Sequence, residues 1–136
     1  MNIIIAYIIV LLAFIILDGS WIYYNLDYYM SLCKKIQKEP FFIKIPSIII
    51  SYIILCIALI LYLRCITFEI NLQKKNNKYL ISIIYGCLFG LAIYGTYSFT
   101  SCTYYKNYSY LDALIDTSWG MLLFSLIGTL YVYLKF

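Results

Sequence analysis

The chain is predicted to be an all-α polytopic membrane protein, four transmembrane helices in an antiparallel bundle, on three observations. Its 136 residues are 65% hydrophobic and only 12% charged. Its mean hydropathy is +0.89. Its apolar residues fall into four nearly charge-free runs. A water-soluble fold of this length covers its core with roughly a quarter charged residues, and ten basic plus six acidic side chains do not reach that. The same balance excludes a disordered chain, a coiled coil and a nucleic-acid-binding protein.

A bilayer core about 30 Å thick needs about 20 mostly apolar residues per helix. The first run, residues 3–24, is interrupted only by Asp18. It has no basic leader and no small-residue cleavage site, so it reads as a retained helix rather than a signal peptide. The second, residues 45–63, is bracketed by Lys44 and Arg64. Pro40 and Pro46 punctuate its entrance, where a missing N–H costs little. The third, residues 79–100, lies in a charge-free stretch that reaches Tyr105. The fourth, residues 113–134, carries Asp116 near its start and is closed by Lys135. Hydrocarbon gives open backbone groups no partner, so runs this long and apolar must be helical; the alternation of a barrel strand is absent. The expectation is one multi-pass integral membrane domain over residues 1–136.

Orientation stays open. Arg64, Lys74, Lys75, Lys78 and Lys135 fall on one side, and Lys34, Lys35, Lys38, Lys44 and Lys106 on the other, so the positive-inside bias is balanced. The five cysteines form no CxxC pair and the chain has no histidine, so no metal and no cofactor is expected. Cys33 and Cys102 lie in loops on the same side, where a disulfide would need an oxidising compartment. Asn107-Tyr108-Ser109 spells a glycosylation sequon, in a loop short enough to hug the membrane.

Eight of the 17 tyrosines, Tyr23, Tyr24, Tyr28, Tyr29, Tyr104, Tyr105, Tyr108 and Tyr110, gather where the first helix ends and the third loop turns. They form an interfacial belt or, in part, the roof of a binding cup.

Charge inside a span is expensive, so an intramembrane carboxylate marks the place to look for function. Asp18 lies late in the first helix and Asp116 early in the antiparallel fourth, which puts both acids in one leaflet. Each opens a matching pentad, Leu17-Asp18-Gly19-Ser20-Trp21 and Ile115-Asp116-Thr117-Ser118-Trp119. A spacing of three puts each Asp and its Trp on one helix face. Antiparallel helices then level Asp18 with Trp119 and Trp21 with Asp116, predicting reciprocal indole N–H to carboxylate hydrogen bonds. The third helix brings Tyr94, Tyr97, Ser98 and Thr100 to the same leaflet. If the two carboxyls approach each other there, they are expected to share a proton and titrate as a pair. Gly86 and Gly90 form a GxxxG, a face for close packing within the bundle or in a homo-oligomer.

The chain resembles an uncharacterised family of membrane proteins, domain of unknown function 2177, over nearly its whole length. The carriers are Leu17-Asp18 with Trp21, Lys38-Glu39-Pro40, Tyr94-Gly95-Thr96-Tyr97 with Thr100, and Asp116 with Trp119-Gly120. The resemblance implies a four-helix bundle and brings no activity. The chain departs from the family pattern at Ser98, where an acid is usual, and at Ser101, where an asparagine is.

Together these readings point to a polar cup in one leaflet formed by Asp18, Trp21, Tyr94, Tyr97, Thr100, Asp116 and Trp119. It would bind or pass a small molecule, lipid or proton. Two other classes stay open: a membrane enzyme using the aspartates on a lipid, and a structural protein of a viral or cell envelope in which the polar groups clamp the helices. The expected partners are the lipid bilayer and a small-molecule or lipid ligand, with no nucleic acid and with homo-oligomerisation left open.

Overall fold

The computed structural model describes residues 2–73 and 77–136. Four of its helices are long and apolar enough to cross a membrane. The first span, α1 (Ile3–Tyr24), starts where the Asn2 side chain accepts the Ile4 N–H at 3.0 Å. It ends at Asn25, whose backbone and side-chain N–H groups both donate to the Trp21 carbonyl. A short amphipathic helix that the hydropathy runs do not reveal, α2 (Leu26–Gln37), follows at once. Leu32 is buried on its inner face, with Tyr28 and Ile36 packed beside it, and Lys34 and Lys35 lie outside. Lys38, with φ of 60°, closes α2 in the left-handed conformation.

The second span, α3 (Ile45–Gln73), has Pro46 in its first turn, where the missing N–H has no partner to lose. Arg64 does not end it. The helix runs on because Ile66 and Ile70 bury themselves in the same core cluster as Ile81. The third span has three pieces: α4 (Lys78–Gly90), a π-helical turn over Leu91–Gly95, and α5 (Thr96–Tyr104). The last span, α6 (Tyr110–Lys135), begins three residues before the expected boundary because Ser109 and Asp112 form a reciprocal capping box.

Of the four spans α6 is the most buried, and it packs against α1, α3, α4, α5 and the π turn. Phe14, Leu59, Tyr62, Leu63, Leu123, Phe124 and Ile127 fill the dry middle of the bundle. Small residues set the approach of α4 and α6: a Cβ on Gly90 would lie 2.3 Å from the Gly120 carbonyl oxygen, and one on Gly86 2.6 Å from the Ser125 backbone. The GxxxG face is therefore spent inside the bundle. The outward surface of α1 and α3, with Ile8, Ile15, Ile16, Ile53, Ile54 and Ile57 exposed, is a surface suited to hydrocarbon.

Candidate functional site

Asp18 comes one turn after the buried Phe14, on the inner face of α1, and is only 4% exposed. Three other elements reach it. Tyr52 of α3 donates its hydroxyl to Oδ2 at 2.9 Å. Tyr94 of the π turn donates to Oδ1 at 3.1 Å, and Trp119 of α6 donates its indole N–H to Oδ1 at 3.0 Å. All three partners are neutral donors, the pairing that makes a buried carboxyl tolerable in hydrocarbon.

The expected Asp18–Trp119 bond is thus present, whereas its counterpart between Trp21 and Asp116 is replaced by a relay. The Trp21 indole N–H donates to the Tyr29 hydroxyl at 3.1 Å, and that hydroxyl donates to Asp116 Oδ1 at 2.8 Å. Tyr29 can intervene because α2 follows α1 at once and packs against the start of α6, where Tyr28 meets Asp112 and Leu32 meets Tyr108 and Ala113. Tyr108 donates to the other Asp116 oxygen at 3.1 Å. The two carboxyls therefore have separate donor sets and share no hydrogen bond, so the expected direct sharing of a proton is not built here. What joins them is aromatic: the Trp21 and Trp119 rings stack with centroids 4.4 Å apart and planes 7° apart.

A third acid, not singled out from the sequence, completes the cluster. Asp112 is buried, accepts the Tyr28 hydroxyl on Oδ1, and accepts the Ser109 backbone N–H at 2.8 Å on Oδ2. Its sequence signal was the Ser109-x-x-Asp112 capping pattern. Tyr52 was also missed, although with Ser51 it breaks the run of isoleucines early in the second span. The roofing tyrosines divide: Tyr28, Tyr29 and Tyr108 turn in to the acids, while Tyr23, Tyr24, Tyr104, Tyr105 and Tyr110 stay exposed. Burial, followed by the adjoining Asp112 for Tyr28 and Asp116 for Tyr29, holds both phenols well above the usual tyrosine range. They therefore remain donors at any physiological pH.

Two expected wall residues make no hydrogen bond to an aspartate: Tyr97 is 68% exposed, with its phenol near enough to Asp116 to feel its charge, and Thr100 is exposed. The face that turns inward beyond the π turn is the one carrying Ser98 and Ser101, both buried, which leaves positions 97 and 100 on the outside. Asn107 and Ser109 of the sequon are both engaged, Asn107 donating to the Lys35 carbonyl at 2.9 Å and Ser109 capping α6. Cys33 and Cys102 are free thiols. Among the described residues no group of three or more His, Cys, Asp or Glu side chains is placed to hold a metal ion.

Beside this network a shallow, open cleft of about 350 Å³ lies between α1 and α6, lined by Trp21, Leu114, Ile115, Ser118, Trp119 and Leu122. Both indoles that wall it have their N–H groups engaged in the acid network.

Four apolar helices packed around an acid and aromatic network near one end define a multi-pass membrane protein. The chain belongs to the family described as Predicted membrane protein (DUF2177), which it matches over residues 3–133. No curated protein and no solved structure matches it.

Proposed function

We propose that the protein binds an amphipathic small molecule or lipid in the leaflet that holds its acids. The ligand's apolar body lies against the stacked indoles, and its polar end meets the network around Asp18, Asp112 and Asp116. One observation carries this reading: the residues that wall the apolar cleft, Trp21 and Trp119, are also those that hydrogen-bond into the acid network. A ligand that shifts Trp119 removes one of the three donors on Asp18, so occupancy of the cleft and the state of the carboxyl are mechanically linked.

A second reading is favoured by a specific observation. Asp18 takes donors from three other elements, which is also what an interhelical clamp requires. The deciding experiment purifies wild type, the Asp18→Asn, Asp116→Asn double variant and the cleft-filling Ser118→Trp variant in mild detergent. Native mass spectrometry and melting temperature are then compared. The proposal expects a specific lipid or metabolite on the wild type that Ser118→Trp loses at unchanged melting temperature. If nothing specific is bound to any of them and only the aspartate variant melts earlier, the clamp takes the lead. A changed lipid product in cells expressing the protein would instead favour the enzyme reading.

A further inference from the structure

The polar cluster at the end of the bundle opposite the acids is built around cations. Lys135 closes α6 half-buried, and its ammonium donates to Thr67 Oγ1 at 3.1 Å and to the Tyr131 hydroxyl at 3.2 Å. Both acceptors are held in turn, Thr67 by donating to the Leu63 carbonyl at 2.8 Å and Tyr131 by donating to Tyr7 at 3.4 Å. The two hydroxyls fix the ammonium in place without cancelling its charge, and an ammonium carries three donors. Of the chain's six carboxylates, Asp18, Asp27, Glu39, Asp112 and Asp116 belong to the other end. The sixth, Glu69, is two residues past Thr67 and so on another face of α3, beside Tyr85 of α4.

A second cation stands near the first. Arg64 and Lys135 are both close enough to the Tyr7 phenol for their charges to act on it. Arg64 also precedes Thr67 by three residues, which makes the two neighbours on the surface of α3. Its other neighbours at helical spacing are Ile57, Leu61 and Phe68, and all four side chains are exposed, so Arg64 sits on a stripe that faces hydrocarbon. It lies about 29 Å along α3 from Ile45, and the hydrocarbon core is about 30 Å thick. The guanidinium therefore emerges at headgroup depth, on the lipid side of the bundle, beside an ammonium already held by hydroxyls.

We propose that Arg64 and Lys135 bind the phosphate group of an anionic phospholipid in the leaflet opposite the acids. A guanidinium is a planar fork that fits two phosphate oxygens, and the ammonium adds a compact charge with a donor left over. Two neighbouring cations repel each other, and one anion shared between them removes that repulsion. Free phosphate offers the same oxygens, but only a lipid also brings an acyl chain to lie along Leu61 and Ile57, which continue the Arg64 stripe toward the bilayer centre. The headgroup is anionic because a choline would carry a further cation into a site that already holds two. This site does not rest on the ligand reading of the cleft: it lies in the other leaflet and uses no residue of the acid network.

Native mass spectrometry of the delipidated protein in mild detergent, titrated with phosphatidylglycerol, phosphatidylcholine or inorganic phosphate, tests it. Wild type should hold one phosphatidylglycerol about thirtyfold more tightly than the Arg64→Gln, Lys135→Gln variant, the effect of two basic groups at a membrane surface. Arg64→Gln alone changes an exposed side chain, so the fold is kept, and it should weaken binding about fivefold. Two controls should bind as wild type does: Lys34→Gln, Lys35→Gln, which removes two charges at the other end, and Ser118→Trp, which fills the cleft. Equal binding by wild type and both Arg64 variants overturns the proposal, as does an equal loss in either control. Phosphatidylcholine held as tightly as phosphatidylglycerol overturns the anionic headgroup, and inorganic phosphate bound where phosphatidylglycerol is not overturns the lipid source.

Discussion

Asp18 is asked to accept from two phenols and an indole at once, and only a carboxyl can do this, because its two oxygens offer about four acceptor positions. A leucine offers no acceptor, so Asp18→Leu strands two phenols and the Trp119 indole N–H together. Each stranded buried donor costs about 1–3 kcal/mol. Asp116 has only two phenolic donors, so Asp116→Leu strands fewer. The expected order in a detergent melt is therefore a larger drop for Asp18→Leu than for Asp116→Leu; the reverse order would show that the Asp18 donors find other acceptors. Part of this chemistry was legible in advance. The repeated Asp-x-x-Trp pentads on antiparallel helices place Trp119 level with Asp18, because rise per residue and direction are enough to compute depth. The other half of that symmetry was not legible, since nothing in either pentad says that Tyr29 will be threaded between Trp21 and Asp116. That Tyr97 and Thr100 make no hydrogen bond to an aspartate was not legible for a related reason: which face turns inward past residue 95 depends on a π turn that no residue type spells out.

That π turn and the short helix α2 are the two elements that hydropathy could not reveal. The composition of α2 is balanced between Leu26, Tyr28, Tyr29, Leu32 and Ile36 on one side and Asp27, Lys34 and Lys35 on the other, so it disappears in a search for apolar runs. Its inward residues at 28, 29, 32 and 36 nevertheless carry helical spacing. Docking of α2 depends on phenols that must stay protonated to donate. Undocked, Tyr28 and Tyr29 ionise near pH 10; docked, burial and the carboxyls keep them protonated to higher pH. The docked form holds its protons more tightly, so its advantage is complete below about pH 10 and is lost as pH rises further, through the raised docked values. Limited proteolysis of the segment around Lys34 and Lys35 should accelerate above pH 10 in the wild type. The Tyr28→Phe, Tyr29→Phe variant should be cut faster at neutral pH but show a much flatter alkaline rise. An equally steep rise in that variant would place the alkaline sensitivity elsewhere. Between α4 and α6 the contact is backbone on backbone, so Gly90→Ala has no flexible side chain to push aside. The helices must part, at a cost of about 1–3 kcal/mol for overpacking, and a melting temperature equal to wild type would mean that this seam is looser than described.

Among the described residues, no chain of hydrogen bonds joins the polar networks at the two ends of the bundle. At the end opposite the acids, Lys135 donates to Thr67 and Tyr131 at 3.1 and 3.2 Å, and Tyr131 reaches Tyr7 at 3.4 Å. From Asp18 to Tyr7 along α1 is about 16 Å of helix. The residues between them that face the core, Val10 and Phe14, pack with Leu59, Leu63, Phe124 and Ile127 in one dry cluster. The four charge-free runs made this arrangement predictable in outline, because hydrocarbon enforces helices wherever the backbone cannot meet water. They do not tell a through-path from a one-sided recess, since that depends on which side chains meet at mid-bundle; here Phe14 meets Phe124 edge to face at 5.6 Å. The polar groups at mid-bundle are spent locally, the Tyr62 hydroxyl on the Ser82 carbonyl at 2.7 Å and the Ser125 hydroxyl on the Met121 and Ile83 carbonyls at 2.7 and 3.1 Å. A proton or solute would have to cross this layer without a hydrogen-bonding partner, at a cost of several kcal/mol for each unpaired polar group. In liposomes carrying a pH gradient, the reconstituted protein should therefore dissipate the gradient no faster than protein-free vesicles, and Phe14→Ala should not change that, because a void lined by leucine and isoleucine stays dry. A wild-type flux that Asp18→Asn abolishes would require the apolar layer to open, and would move transport ahead of one-sided binding as the role of the acid cluster.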